Sequence, residues 1–121
     1  MLTLGTTVLG VEDFSRAKQF WMSALGYVPR DPGDETFVVL VPPDGQGAHL
    51  ALDLSESPVQ EHPRVHLDLY ADDQAAEIDR LLALGATRVN WDLYPDRPHD
   101  FVVLADSEGN RFCVIDTGLA S

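Results

Sequence analysis

Basic residues are scarce in this chain: Lys and Arg number 8 against 20 Asp and Glu, a formal net charge of -12 over 121 residues. Such a field repels phosphate backbones and anionic lipid, so neither nucleic acid nor a membrane surface is an expected partner. Cysteine is scarcer still. Cys113 stands alone, so no internal disulfide can form, in keeping with a reducing compartment. No apolar run approaches the roughly 20 residues of a membrane span, and the first residues lack the basic patch and cleavage pattern of a secretory signal. A cytoplasmic location is the expectation. A glycine-rich phosphate loop, a nucleophile elbow and a cysteine-pair zinc motif are also missing.

What the chain does have is an internal repeat. Leu9-Gly10-Val11-Glu12-Asp13 opens a helical stretch closed by Ala24-Leu25-Gly26, and Leu69-Tyr70-Ala71-Asp72-Asp73 opens another closed by Ala83-Leu84-Gly85. Phe37-Val38-Val39-Leu40 recurs as Phe101-Val102-Val103-Leu104, and the segment from Gly47 to Leu52 is echoed by Gly109 to Val114. The offset drifts only from 60 to 59, then 64, then 62 residues, as loops allow, so one module has been duplicated. With 45% hydrophobic residues the whole chain can bury a core, whereas a single half would be marginal.

Within each half the order reads strand, helix, then three strands. Strands are predicted over 3–10, 27–30, 36–41 and 48–54, and again over 64–70, 87–93, 100–105 and 111–116. Asp13 caps a helix over 14–25 whose Phe14, Ala17, Phe20, Trp21, Ala24 and Leu25 keep the 3.6 period, and a second helix is expected over 73–84. Gly26 and Gly85 stop them. The fold class is therefore α+β: two tandem βαβββ modules forming curved, cup-shaped mixed sheets with helices outside, their concave faces left for a ligand. Module one spans 1–55, a linker 56–62, and module two 63–121, together a single domain.

Strand side chains alternate faces, which sorts the candidates. Leu50, Leu52 and Leu54 share one face and His49, Ala51 and Asp53 the other. Val65, Leu67 and Leu69 likewise oppose His66, Asp68 and Tyr70. If the leucine faces pack on the helices, His49, Asp53, His66 and Asp68 turn toward the cup, in place for a shifted metal site or an acid/base pair. Such alternating polar residues are more often simply polar positions beside a wet cavity. Cys113, among Phe112, Val114 and Ile115, reads as a small buried packing residue, and Trp21 as core or dimer interface. Trp91, in the irregular run from Val89 to Pro95, is freer to face a ligand. His62 and His99, beside Pro63 and Pro98, read as solvent-exposed loop residues.

The chain resembles the vicinal oxygen chelate superfamily of glyoxalase I, bleomycin-resistance proteins and extradiol dioxygenases. The matching residues are Val11-Glu12-Asp13-Phe14, Phe20-Trp21 and Leu25-Gly26, then His66-Leu67-Asp68-Leu69, Asp72-Asp73 and Leu84-Gly85-Ala86, closing with the run from Ala105 to Cys113. The likeness is greatest to the glyoxalase-like branch and covers essentially the whole chain. In the family's metal-dependent members four strand positions carry the ligands, usually His, Glu or Gln; here they fall on Thr6, Ala51, His66 and Cys113. Alanine has no donor, threonine is a poor one, and a thiolate suits a softer ion than the family's usual metals. No cofactor is expected, and a divalent metal is the alternative.

The resemblance and the residues together imply a small-molecule-binding protein, metal-free, sequestering an aromatic natural product or antibiotic in the manner of resistance proteins. Trp91, Tyr94, Tyr70, Phe37 and Phe101 would supply flat apolar surface. The alternatives are a metal-dependent lyase, isomerase or dioxygenase using His66, and a metal-free acid/base enzyme using His66 and Asp68. The family commonly forms homodimers, and small modules with open sheet edges favour that here. Light scattering at micromolar concentration is expected to report roughly twice the chain mass; a monomer across the range would contradict it.

Overall fold

The computed structural model describes residues 1–91 and 100–118. These form eight strands and two helices in two compact units, Met1–Pro58 and Val59–Ser121. Each unit contains one strand, one helix and three further strands: β1 (Thr7–Val11), α1 (Phe14–Leu25), β2 (Val28–Pro29), β3 (Phe37–Val41) and β4 (Leu50–Leu54) in the first, and β5 (Asp68–Ala71), α2 (Gln74–Leu84), β6 (Thr87–Arg88), β7 (Phe101–Ala105) and β8 (Arg111–Asp116) in the second. The sheet orders are the same, β1-β4-β3-β2 and β5-β8-β7-β6. In both, the first strand pairs parallel with the last and the other neighbours are antiparallel. The fold is thus α+β, two βαβββ modules with open, mixed sheets. No helix among the described residues is long and apolar enough to cross a membrane.

Local chemistry explains the repeated helices. The Asp13 carboxylate accepts from the Arg16 backbone N–H at 3.1 Å, and Asp73 accepts from that of Ala76 at 3.1 Å, so each aspartate satisfies a donor that the first turn leaves unpaired. At the other end of α1, Gly26 adopts φ 68°, a left-handed conformation that releases the chain from the helix. The α1 stripe Ala17, Phe20, Trp21 and Ala24 is buried with Val38, Leu40, Leu50 and Leu52 of its sheet, and Phe20 meets Trp21 edge-on, centroids 5.1 Å apart. Trp21, 0% exposed, is core. In module two the buried set is Ile78 and Leu81 with Leu104, Phe112 and Val114. Gln74, the first residue of α2, donates from Nε2 to the carbonyl of Val114 at 2.9 Å, tying the helix to β8.

The turn before β8 is organised by Asp106, a buried carboxylate 3% exposed. Its Oδ1 accepts from the backbone N–H groups of Glu108 and Asn110, each at 2.8 Å, while Gly109 takes φ 88°. A charged group survives burial here because backbone donors replace its hydration.

Four strands differ from the sequence reading. β1 and β5 start at Thr7 and Asp68 rather than at residues 3 and 64, and the assigned alternation fails at Val65, 78% exposed, while Leu67 and Leu69 stay half-buried between the exposed His66, Asp68 and Tyr70. Residues 3–6 and 64–65 have no ladder partner to fix them as strand. β6 is a two-residue strand, and the remainder of the expected 87–93 strand is irregular up to Trp91. On β4 the leucine face is buried at Leu50 and Leu52 but opens at Leu54, the strand's end, which is exposed.

Two substitutions separate packing from capping. Trp21→Ala is expected to cost about 3–5 kcal/mol through the cavity it leaves, and Asp73→Ala about 1 kcal/mol through the lost cap. Urea unfolding measures both, and equal losses would contradict the assignment of Trp21 to the core.

Candidate functional site

The ladder of module two decides which side chains meet. Across β5, β8 and β7 the register places Asp68 beside Cys113 and Cys113 beside Val103; two residues along, Tyr70, Ile115 and Phe101 form the next row. Partners in register project from the same side of a sheet. One face therefore carries Asp68, Tyr70, Cys113, Val103 and Phe101, and Arg111 joins it by alternation on β8. The opposite face carries Phe112, Val114 and Leu104, buried toward α2.

A cavity of about 270 Å³ opens on the first of these faces. Arg111 and Cys113 of β8 and Val103 of β7 contribute its floor, the segment ahead of β5 supplies His62, Arg64 and His66, and Trp91 completes the wall. The Trp91 ring has two neighbours: the His62 ring, centroids 5.2 Å apart, and the Arg111 guanidinium, 5.9 Å from the indole centroid. Both contacts lie within the range of ring and cation–π attraction. Trp91 Nε1 is enclosed and has no hydrogen-bond partner among the described residues.

At one side of the cavity His66 Nε2 and Asp68 Oδ1 are 3.1 Å apart. Cys113 lies in register with Asp68, and the imidazole nitrogen, carboxylate oxygen and sulfur of the three residues all fall within 4.8 Å of one another. Burial, then the Asp68 charge and its hydrogen bond with the thiol, push the Cys113 pKa up to about 11. The thiol therefore stays protonated near neutrality, a hydrogen-bond donor to Asp68 rather than a nucleophile.

His66, Asp68 and Trp91 are thus gathered in one place, with Tyr70 and Phe101 in the adjoining row of the same face, Tyr70 largely exposed. Phe37, His49 and Asp53 belong to module one: Phe37 pairs in register with an exposed Asp53, and His49 precedes β4. Within module two the donors that cluster are His66, Asp68 and Cys113. Tyr94 and His99 lie outside the described residues. Cys113 is half-buried on the cavity face rather than packed in the core, because its strand alternates and Phe112 and Val114 take the core positions. His62 is an exposed loop residue, as expected, and it also lines the cavity. Arg64 and Arg111 were not anticipated; Arg111 was legible as the residue two before Cys113 on the same strand face.

The donor set bears on the metal implied by the resemblance. Of the four family positions, Ala51 is 0% exposed and packs with Val39 and Val41, offering only a methyl group. Thr6 offers a weak hydroxyl donor, and a thiolate at Cys113 suits a softer ion than the family's usual metals. These four residues do not fit the family's metal. The module-one counterparts of Asp68, Cys113 and Val103, counted from the capping aspartates and along the ladder, are Val8, Ala51 and Val39, an entirely apolar row.

The two βαβββ modules define the fold, and comparison with known proteins gives its family. The glyoxalase-like domain family matches residues 6–115. The chain belongs to that family, and with it to the vicinal oxygen chelate superfamily. Similar solved structures include a glyoxalase-related enzyme from Fulvimarina pelagi, 16% identical, TM-score 0.69, covering 97% of this chain and 89% of that one. A glyoxalase/bleomycin resistance protein/dioxygenase family enzyme from Burkholderia phytofirmans is 17% identical, TM-score 0.67, covering 95% and 98%. A fosfomycin resistance protein from Listeria monocytogenes is 14% identical, TM-score 0.73, covering 98% and 94%. At these identities the likeness shows the fold. No curated protein sequence matches the chain.

Alkylation of Cys113 by iodoacetamide as a function of pH tests the site's electrostatics. The raised pKa puts the inflection near 11, so at pH 8 the rate is expected to be about a hundredfold below that of a thiol with a pKa near 9. Burial is the larger cause, so Asp68→Asn should bring the inflection down only in part. An unmoved inflection would remove Asp68 from the thiol's surroundings.

Proposed function

We propose that the protein binds a planar or conjugated small organic molecule in the cavity of module two and sequesters it without a tightly bound metal. The observation that carries this reading is Trp91: an aromatic face on the wall of a cavity of about 270 Å³, beside Val103 and the polar groups of His66 and Asp68. The volume lies just below the usual range of ligand pockets, about 300–1,000 Å³, and suits a molecule of one or two rings. The fosfomycin resistance protein among similar folds supports a resistance-type role, here a stoichiometric one in the cytoplasm. A homodimer is part of the same reading.

One observation favours a second reading, a metal-dependent lyase, isomerase or dioxygenase using His66: three donor atoms of different type stand within 4.8 Å. The His66–Asp68 pair likewise supports a metal-free acid/base enzyme. Elemental analysis of protein purified without chelator separates the first of these. Near-stoichiometric metal lost on His66→Ala would replace sequestration with the metal enzyme.

Binding is measured with a panel of conjugated natural products. The chain has two tryptophans, and Trp21 is sealed in the core, so fluorescence quenching in Trp21→Phe reports Trp91 alone. Calorimetry on Trp91→Ala is expected to show affinity reduced about thirtyfold, the loss typical of a desolvated aromatic anchor of about 2 kcal/mol. Undiminished affinity would remove Trp91 from the site. Mass spectrometry of the recovered ligand distinguishes sequestration, which returns it intact, from turnover, which changes its mass.

A further inference from the structure

The cavity's charge runs against that of the chain. With only 8 Lys and Arg in all, two arginines, Arg64 and Arg111, line this one cavity, together with His62 and His66. Elsewhere Arg16, Arg30 and Arg80 each stand beside a carboxylate, those of Asp13, Asp31 and Glu77. Among the described residues no carboxylate pairs with Arg64 or Arg111. Asp68, the acid nearest the cavity wall, is occupied by His66 and the Cys113 thiol.

What the cavity holds in excess is therefore hydrogen-bond donors. A guanidinium presents a planar fork that matches a carboxylate with two parallel hydrogen bonds. The Arg111 guanidinium lies 5.9 Å from the indole centroid, which places the charge beside the aromatic surface. A bare inorganic anion would satisfy the donors and leave the Trp91 face and Val103 uncovered. A neutral arene would cover the face and leave the donors unmet.

We infer that the ligand of this cavity is an aromatic organic anion, its ring against Trp91 and its carboxylate on Arg111 and Arg64. The inference rests on the reading that the cavity takes a planar small molecule and adds the charge of that molecule. It excludes cationic and neutral ring systems as the preferred class.

The probes are 2-naphthoate and its neutral counterpart 2-naphthamide, titrated by calorimetry into the full chain and into Arg111→Met and Arg64→Met, with urea unfolding to confirm that each variant folds. The full chain is expected to bind the naphthoate at least about tenfold more tightly than the amide, as charge-assisted hydrogen bonds require, with that preference shrinking in either variant. Equal affinity for the two probes would overturn the anion inference while leaving the cavity reading in place. Binding of neither would overturn both. A full preference in both variants would overturn the assignment of the charge to these arginines.

Discussion

The parallel pairing of first and last strands is the constraint on which the rest of this structure depends. In module two, β5 and β8 run side by side in the same direction although some forty residues separate them, and parallel neighbours cannot be joined by a tight turn. The intervening chain must cross over, and α2 provides the crossover, anchored to β8 by Gln74. A helix over one face leaves the other face free of it. Because β8 is paired on both sides, with β5 and with β7, its alternation is fixed: Phe112 and Val114 go to the helix, Arg111 and Cys113 to the open side. The cavity thus follows from the pairing, and the identity of every second residue on β8 sets its chemistry.

Module one obeys the same constraint and ends in a different surface. Its ladder aligns Val8, Ala51 and Val39 where module two aligns Asp68, Cys113 and Val103. Val39, Val41 and Ala51 form a small buried apolar cluster on that side, with no titratable group among them. Duplication copied the scaffold, and divergence of a few strand positions confined the polar chemistry to one copy. The same row leaves the family's donor set incomplete, since a fully buried alanine at residue 51 cannot be a ligand whatever surrounds it.

The elements legible in the sequence are those governed by local rules. Asp13 and Asp73 reveal the helix starts because a cap is satisfied within three residues, and the helical stripe of α1 was readable through to Trp21 for the same reason. Strand beginnings were not, since whether residues 64–67 count as strand depends on a partner far along the chain. The candidate site divides the same way. His66, Asp68 and Trp91 could be singled out by face or by irregular context, but His62, Arg64 and Arg111 acquire their meaning only when three distant segments converge. The placement of Cys113 was missed through its apolar neighbours, which suggested burial where the two-residue period required an open face.

Charge is the property in which local and global descriptions of this protein diverge, and distance decides between them. A net charge of -12 repels an approaching anion, but the Debye length at physiological salt is about 8 Å, so acidic groups spread over the surface are largely screened at longer range. Arg64 and Arg111 act at contact, where partial exclusion of water strengthens the attraction. An anion of the kind inferred above is therefore held by this protein without being steered toward it, and the cost of the acidic surface falls on the rate of encounter. Charged polymers meet the opposite balance. An extended polyanion is too large to place its charge in a cavity of about 270 Å³. On the anion proposal, the acidic exterior and the basic cavity would together favour small anions over extended ones.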